Sequence, residues 1–106
     1  MKGFCMGRTI ISADGYFEWD EDKAKTNEKK HGIAFERALS VFYDPKRIEF
    51  CDESHSECED RYITIGNASK GTFFLVVVSS TERNGRIRLI SMRRASKHEE
   101  GLYYGG

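Results

Sequence analysis

The apolar positions of the chain change their period along its length, and the changes mark out its elements. Phe35, Ala38, Leu39 and Phe42 follow i, i+3, i+4, i+7, the stripe of a helix with one buried face. Asp44-Pro45 ends that helix, because proline clashes with the preceding turn and biases its neighbour away from helical geometry. A helix is also expected just before it, on other grounds. Asp20 suits an N-cap, Glu21 and Asp22 stand in the first turn, Lys29, Lys30 and His31 in the last, and Gly32 follows as the C′ residue. Between Asp20 and His31 there is almost no apolar stripe, so the polar face of this helix is either solvated or lines a site. The short Gly32-Ile33-Ala34 link folds the two helices close together. Ala34 stands where a small polar cap is common, at a cost of about 1 kcal/mol.

The second half of the chain turns to a period of two. Arg47 to Cys51 reads as a short first strand, and Arg61 to Gly66 alternates as a strand with one buried face. Phe73 to Val78 is apolar on both faces, as a central strand is. Asn84-Gly85 favours a type I′ hairpin turn, and Arg86 to Met92 is the returning strand. Ser96-x-x-Glu99 is a capping box opening a short C-terminal helix that Gly101 weakens. Residues 1–16 carry one short β-like stretch, Arg8 to Ser12, and are expected as an N-terminal leader or edge strand. Residues 17–106 form a single domain in the order α-α-β-β-β-β-α, without repeats or linker. The fold class is α+β: two N-terminal helices and a short C-terminal helix on an antiparallel sheet of about four strands.

Composition narrows the function without naming it. With 106 residues the chain suits one domain. Seventeen basic and seventeen acidic residues cancel, so net charge selects neither nucleic acid nor membrane. The charges are nevertheless segregated. Residues 49–60 hold Glu49, Asp52, Glu53, Glu57, Glu59 and Asp60 without a base, and residues 83–98 hold Arg83, Arg86, Arg88, Arg93, Arg94 and Lys97 with no acid among them. Such poles attract a polyanion on one side and a cationic partner on the other. Cys5, Cys51 and Cys58 are odd in number and irregularly spaced, which suits a reducing, cytoplasmic setting. The longest apolar run, Phe73 to Val78, is far too short to span a bilayer.

Most site chemistries find no support. Cys51-x3-His55-x2-Cys58 lacks the tight paired spacing of structural zinc, and the loop acids show none of the fixed spacing of a cation loop, so no metal and no cofactor is expected. There is no phosphate-binding glycine motif and no nucleophile elbow. What remains is a concentration of cations on regular elements. Lys23, Lys30 and His31 recur at about helical period on the first helix, Arg61 opens one strand, and Arg93 and Arg94 close another. Metal-independent RNA cleavage uses the 2′-hydroxyl as nucleophile and needs a base, an acid for the leaving oxygen and fixed positive charge around phosphorus.

Several stretches together resemble the BrnT family of type II toxins. They run Phe17-Glu18-Trp19-Asp20-x-x-Lys23-Ala24-x-x-Asn27-x-x-Lys30-His31-Gly32, then Phe35-x-x-Ala38, then Phe42-x-Asp44-Pro45. Glu59-x-Arg61-Tyr62-x-x-Ile65-Gly66 follows, and last Ile87-Arg88-Leu89-Ile90-Ser91-Met92-Arg93-Arg94-Ala95, with Glu99 and Tyr103 beyond. The match spans about residues 17–103 in order; sixteen residues precede it. The resemblance implies a RelE-like fold and a ribonuclease that slows growth. It also implies a ribbon-helix-helix antitoxin (BrnA-like) that wraps the toxin, with a toxin homodimer held by an antitoxin dimer as a heterotetramer and DNA contacted only through the antitoxin. The expected catalytic residues are Arg61 and Arg93 as clamps on the scissile phosphate, on strands expected to be neighbours, with His31 or Lys30 handling protons. A histidine titrates close to physiological pH, and a lysine takes such a role where it is buried. Lys23, Arg94 and Trp19 are expected to bind substrate, Trp19 either stacking a base or anchoring the core. Glu59 is expected to partner Arg61. A non-catalytic RNA- or protein-binding module of the same fold, acting in operon repression, is the alternative.

Overall fold

Phe17-Glu18-Trp19-Asp20 alternates apolar and acidic side chains, and in the computed structural model, which describes residues 8–52, 60–68 and 75–105, it is a strand. In chain order the elements are β1 (Thr9–Ile11), β2 (Phe17–Asp20), α1 (Glu21–His31), α2 (Phe35–Ala38) continuing as a 3₁₀ segment (Leu39–Tyr43), β3 (Ile48–Cys51), β4 (Tyr62–Asn67), β5 (Leu75–Arg83), β6 (Arg86–Arg94) and α3 (Lys97–Gly105). The sheet has six strands in the order β1-β2-β6-β5-β4-β3. The expectation of about four antiparallel strands is therefore corrected. β1 and β2 extend the sheet past β6, and β2 runs parallel to β6 through Phe17–Ile87 and Glu18–Arg88. The other neighbouring pairs are antiparallel.

The second N-terminal helix is also shorter than its apolar stripe suggested. Ala34 caps it without a side-chain hydrogen bond, and after one turn the chain tightens to 3₁₀ geometry. An uncapped start and a proline stop leave little to hold a longer α-helix. Of the stripe, Phe35 is buried with Phe17, Trp19, Ile33, Val76, Val78, Leu89 and Met92 in one core on this side of the sheet, and Leu39 and Phe42 pack against it; Val41, outside the stripe, is buried there too. α1 was read correctly at both ends. Asp20 Oδ1 accepts from the Asp22 and Lys23 amides at 2.8 and 3.0 Å, and Gly32, at φ 75°, closes the helix by donating to the Glu28 carbonyl. Asn84 and Gly85 both have positive φ, as a type I′ turn between β5 and β6 requires.

α3 opens on the capping box. The Glu99 amide donates to Ser96 Oγ at 3.2 Å, and Glu99 Oε1 accepts from the Ser96 amide at 2.8 Å. Its far end is tied to the turn before β3, where Tyr103 Oη donates to Asp44 Oδ2 at 2.6 Å. No helix among the described residues is long and apolar enough to cross a membrane.

Candidate functional site

α1 is polar because of where it lies. β2 covers the outer edge of β6 only as far as Arg88, and α1 packs against β6 beyond that point. A strand edge with no neighbour leaves backbone donors without acceptors. Asn27, the buried residue of α1, accepts the Met92 amide on its Oδ1 at 3.2 Å and so stands in for a missing strand. The helix needs only Ala24 and Asn27 turned toward the protein. Lys23 and Lys30 are exposed and His31 is half-buried, and all three line a hollow whose opposite wall is Ile90 and Ser91 of β6.

Ser91 belongs to a second hollow as well. On the sheet face away from the core, Ile63, Val77, Ser79, Ser91 and Arg93 line a concavity bounded by Glu99 of α3 and by Phe50, Cys51 and Asp52 of β3 and its end. The register explains the grouping, since Ile63 stands opposite Ser79, Ser79 opposite Ser91, and Val77 opposite Arg93. The register slips between Ser79 and Ser80, so the bulge accommodates Ile90 beside Ser91. The two hollows share Ser91 as a lining residue, with α1's cations on one and Arg93 on the other.

Arg93 is held rather than free. Its Nη1 and Nη2 each donate to one Glu99 oxygen at 2.8 Å, a bidentate pair. The Arg93 hydrogen bonds hold the Glu99 carboxyl down to about 2 against the opposing effect of burial, with Ser96 helping. Glu99 is therefore an anion at any physiological pH, and its cap to Ser96 fixes where it stands.

The other expected site residues divide. Arg61 and Arg93 do not converge: β5 lies between their strands, and Arg61 stands one step before Tyr62, level with Thr81 rather than with Val77. The Nε of Arg61 is buried without a hydrogen-bond partner. Arg94 stands opposite Val76, so alternation turns it to the core side of the sheet, away from the groove. Trp19 is only 3% exposed, with its ring edge-on to Phe35 at 6.1 Å; it is a core anchor and has no face for a base. Lys30, being exposed, lacks the burial that its proton-handling role required. Glu59, His55 and Cys58 lie outside the described residues. Among the described residues no group of His, Cys, Asp and Glu is placed to hold a metal ion. A further hollow on the helix side, edged by Glu49, Tyr62 and Glu82, has no cation in its lining and does not suit a phosphate.

Three residues with a part in this site were quoted in the motifs without a role. Asn27 holds the edge of β6, and Ser91 joins the two hollows. Glu18, 4% exposed, is the buried partner of Arg88 at 2.5 Å and lies 3.9 Å from Arg86. Glu18 alternates with Phe17 and Trp19, and that period of two was its available signal.

Comparison with known proteins bears on the family and the fold. The family model described as "Ribonuclease toxin, BrnT, of type II toxin-antitoxin system" matches residues 19–99. The 1.1 Å crystal structure of the Brucella abortus ribonuclease toxin, BrnT, superposes with a TM-score of 0.57 at 27% identity, covering 74% of this chain and 94% of that one. No curated protein gives a match. A family match running from Trp19 through α1, the whole sheet beyond β2 and Glu99 of α3, together with a like fold, places the chain in the BrnT family of ribonuclease toxins of type II toxin–antitoxin systems.

Proposed function

We propose that the chain cleaves RNA in the groove between α1 and α3 without a metal ion. What supports this reading is that the hollow lined by Lys23, Lys30 and His31 and the hollow lined by Arg93 share Ser91, so a strand passing Ser91 would meet both sets of cations. A phosphodiester seated there is attacked by its own 2′-hydroxyl. The 2′-oxygen bonds to phosphorus, the bond to the 5′-oxygen breaks, and a 2′,3′-cyclic phosphate and a 5′-hydroxyl result. One proton leaves the 2′-hydroxyl and one reaches the departing 5′-oxygen. His31 is the proton-transfer group at its end of the groove, and Lys23 and Lys30 add charge along the rim. Arg93 stabilises the charge that grows on the phosphoryl oxygens.

The expected partner is a ribbon-helix-helix antitoxin, in a heterotetramer with two copies of the toxin that reaches DNA through the antitoxin; the type II family assignment supports an antitoxin of some kind. One observation favours a binding-only module of the same fold: both Nη atoms of Arg93 are already engaged by Glu99. Kinetics decide between the readings. Purified protein is expected to cleave RNA in EDTA, and Arg93→Ala to lower turnover about a hundredfold or more, the scale of losing one preorganised donor. Arg93→Lys should recover only part, because a point charge does not replace the guanidinium fork. A strict need for magnesium, or an Arg93→Ala variant of full activity, overturns the assignment.

A further inference from the structure

Arg61 belongs to a cluster of its own. Ile65, Val77 and Arg93 are level across the sheet, and Arg61 lies four residues before Ile65, roughly 13 Å away along the strands at about 3.3 Å per residue. Level with Arg61 are Thr81 and, one strand further, Arg88. The backbones of Arg61 and Arg88 are therefore about 10 Å apart, two strand spacings, within reach of two arginine side chains that converge on one anion. Both face away from the core. Arg61 alternates with Tyr62 and shares the side of Ile63, and Arg88 meets Glu18, whose neighbours Phe17 and Trp19 are in the core.

Among the described residues the charges in this cluster do not balance. Arg61, Arg86 and Arg88 stand against one buried carboxylate, Glu18, which is already taken by Arg88 and Arg86. Asp60 is exposed, and its backbone carbonyl accepts from Thr81. The Arg61 Nε, buried without an acceptor, bears the desolvation of a charged donor with nothing in return. The cluster begins where the catalytic groove ends, since Ile63 and Ser79 line the groove and stand two residues from Arg61 and Thr81. We infer that Arg61 and Arg88 form a second anion step, which holds a further phosphate of an RNA strand running along the sheet from Arg93 past Ser79. This rests on the reading that the groove at Arg93 takes RNA; it assigns Arg61 to grip rather than to chemistry.

The test compares wild type with Arg61→Ala and Arg61→Lys on a dinucleotide and on a single-stranded RNA of about ten nucleotides. The affinity for the uncleavable 2′-deoxy form of the longer strand is measured over a range of salt. The defect of Arg61→Ala should grow with length: a severalfold loss of kcat/KM on the longer RNA, carried mainly by KM, and a smaller loss on the dinucleotide. For the 2′-deoxy strand, affinity should fall severalfold and the log–log salt slope should shrink by about 0.7, the share of one phosphate contact. Arg61→Lys should keep the slope and part of the affinity. An equal loss on both RNAs, or an unchanged affinity and slope, overturns the inference. If wild type cleaves neither RNA, the cleavage reading fails, and the 2′-deoxy strand still decides the anion step.

Discussion

Glu99 occupies the fork that a phosphate would otherwise take, and it does so as a permanent anion. Its folded state keeps it ionised down to about pH 2, against an ordinary 4.5, chiefly through the Arg93 hydrogen bonds. Because the folded value is the lower one, the contribution to stability is complete above about pH 4.5 and is lost as pH falls toward 2. Glu99→Gln separates the two duties of the side chain. Glutamine serves a capping box as well as glutamate does, so the Ser96 bonds can remain while the charge on Arg93 is lifted. The variant should lose about 1 kcal/mol or less, and its melts between pH 2 and about 5 should fall less steeply with acid than those of wild type, the remainder coming from Asp44 and other lowered carboxylates. Affinity for a 2′-deoxy strand should rise. Loss of cleavage instead would assign Glu99 to orienting Arg93 rather than to competing with the phosphate. At this scale the sequence was legible in part. Lys23, His31 and Arg93, which line the two hollows, stood out because cations on regular elements are visible as such. The Arg93–Glu99 pair was not, because it depends on α3 folding back over the strand that precedes it. The expected neighbouring of the Arg61 and Arg93 strands failed by a step of topology, since a three-strand meander puts its middle strand between the outer two.

The elements meet at a few fixed points, and one of them is a glycine. A Cβ on Gly66 would come within 3.0 Å of Val41 Cγ1 and 3.2 Å of the Val41 carbonyl oxygen, with Arg47 Cβ at 3.3 Å. The 3₁₀ segment therefore lies so close to β4 that a side chain at position 66 would have to push Val41 aside by a few tenths of an ångström. Gly66→Ala should destabilise by roughly 1–3 kcal/mol, the usual cost of overpacking, in urea unfolding monitored by fluorescence. A wild-type midpoint would mean that the 3₁₀ segment moves freely. Asp44 is the neighbouring fixed point. Burial pushes its carboxyl up, but hydrogen bonds from Tyr103, the Asn67 amide and the Lys46 amide outweigh it and leave the group below the usual range. One side chain so joins the 3₁₀ turn, the end of β4 and α3, although in the sequence it reads only as the residue before a proline. Strands linked by hairpins were legible, since turn chemistry and alternation reinforce each other in Asn84-Gly85 and its flanks. β2 was not, because its parallel partner lies about seventy residues away and no local turn announces it.

At the scale of the whole molecule, a groove lined by cations on one side of a protein with no net charge suits a partner that is a polyanion only locally. Expression of the chain alone should arrest growth, and co-expression of the neighbouring gene should relieve the arrest. Unimpaired growth at high expression of the folded protein would leave the binding-only reading. Of the acidic stretch noticed in the sequence, Glu53, Glu57 and Glu59 lie outside the described residues, whereas Glu49, Asp52 and Asp60 are described.

The parallel pairing of β2 with β6 sets an order of events. Phe17 and Glu18 meet Ile87 and Arg88, and α1 meets Ile90 and Ser91, only after most of the chain exists. Contacts of such separation form late and slowly, since the loop between them must close before they return any stability. A nascent chain that has made α1 but not β6 has Lys30 and His31 with no opposite wall, and so no groove. On the proposed reading, cleavage must wait until β6 has been made, and an antitoxin produced alongside has that interval in which to engage. Pulsed hydrogen exchange during refolding should protect β4 and β5 before the Met92 amide that Asn27 accepts; early protection of Met92 would remove the interval.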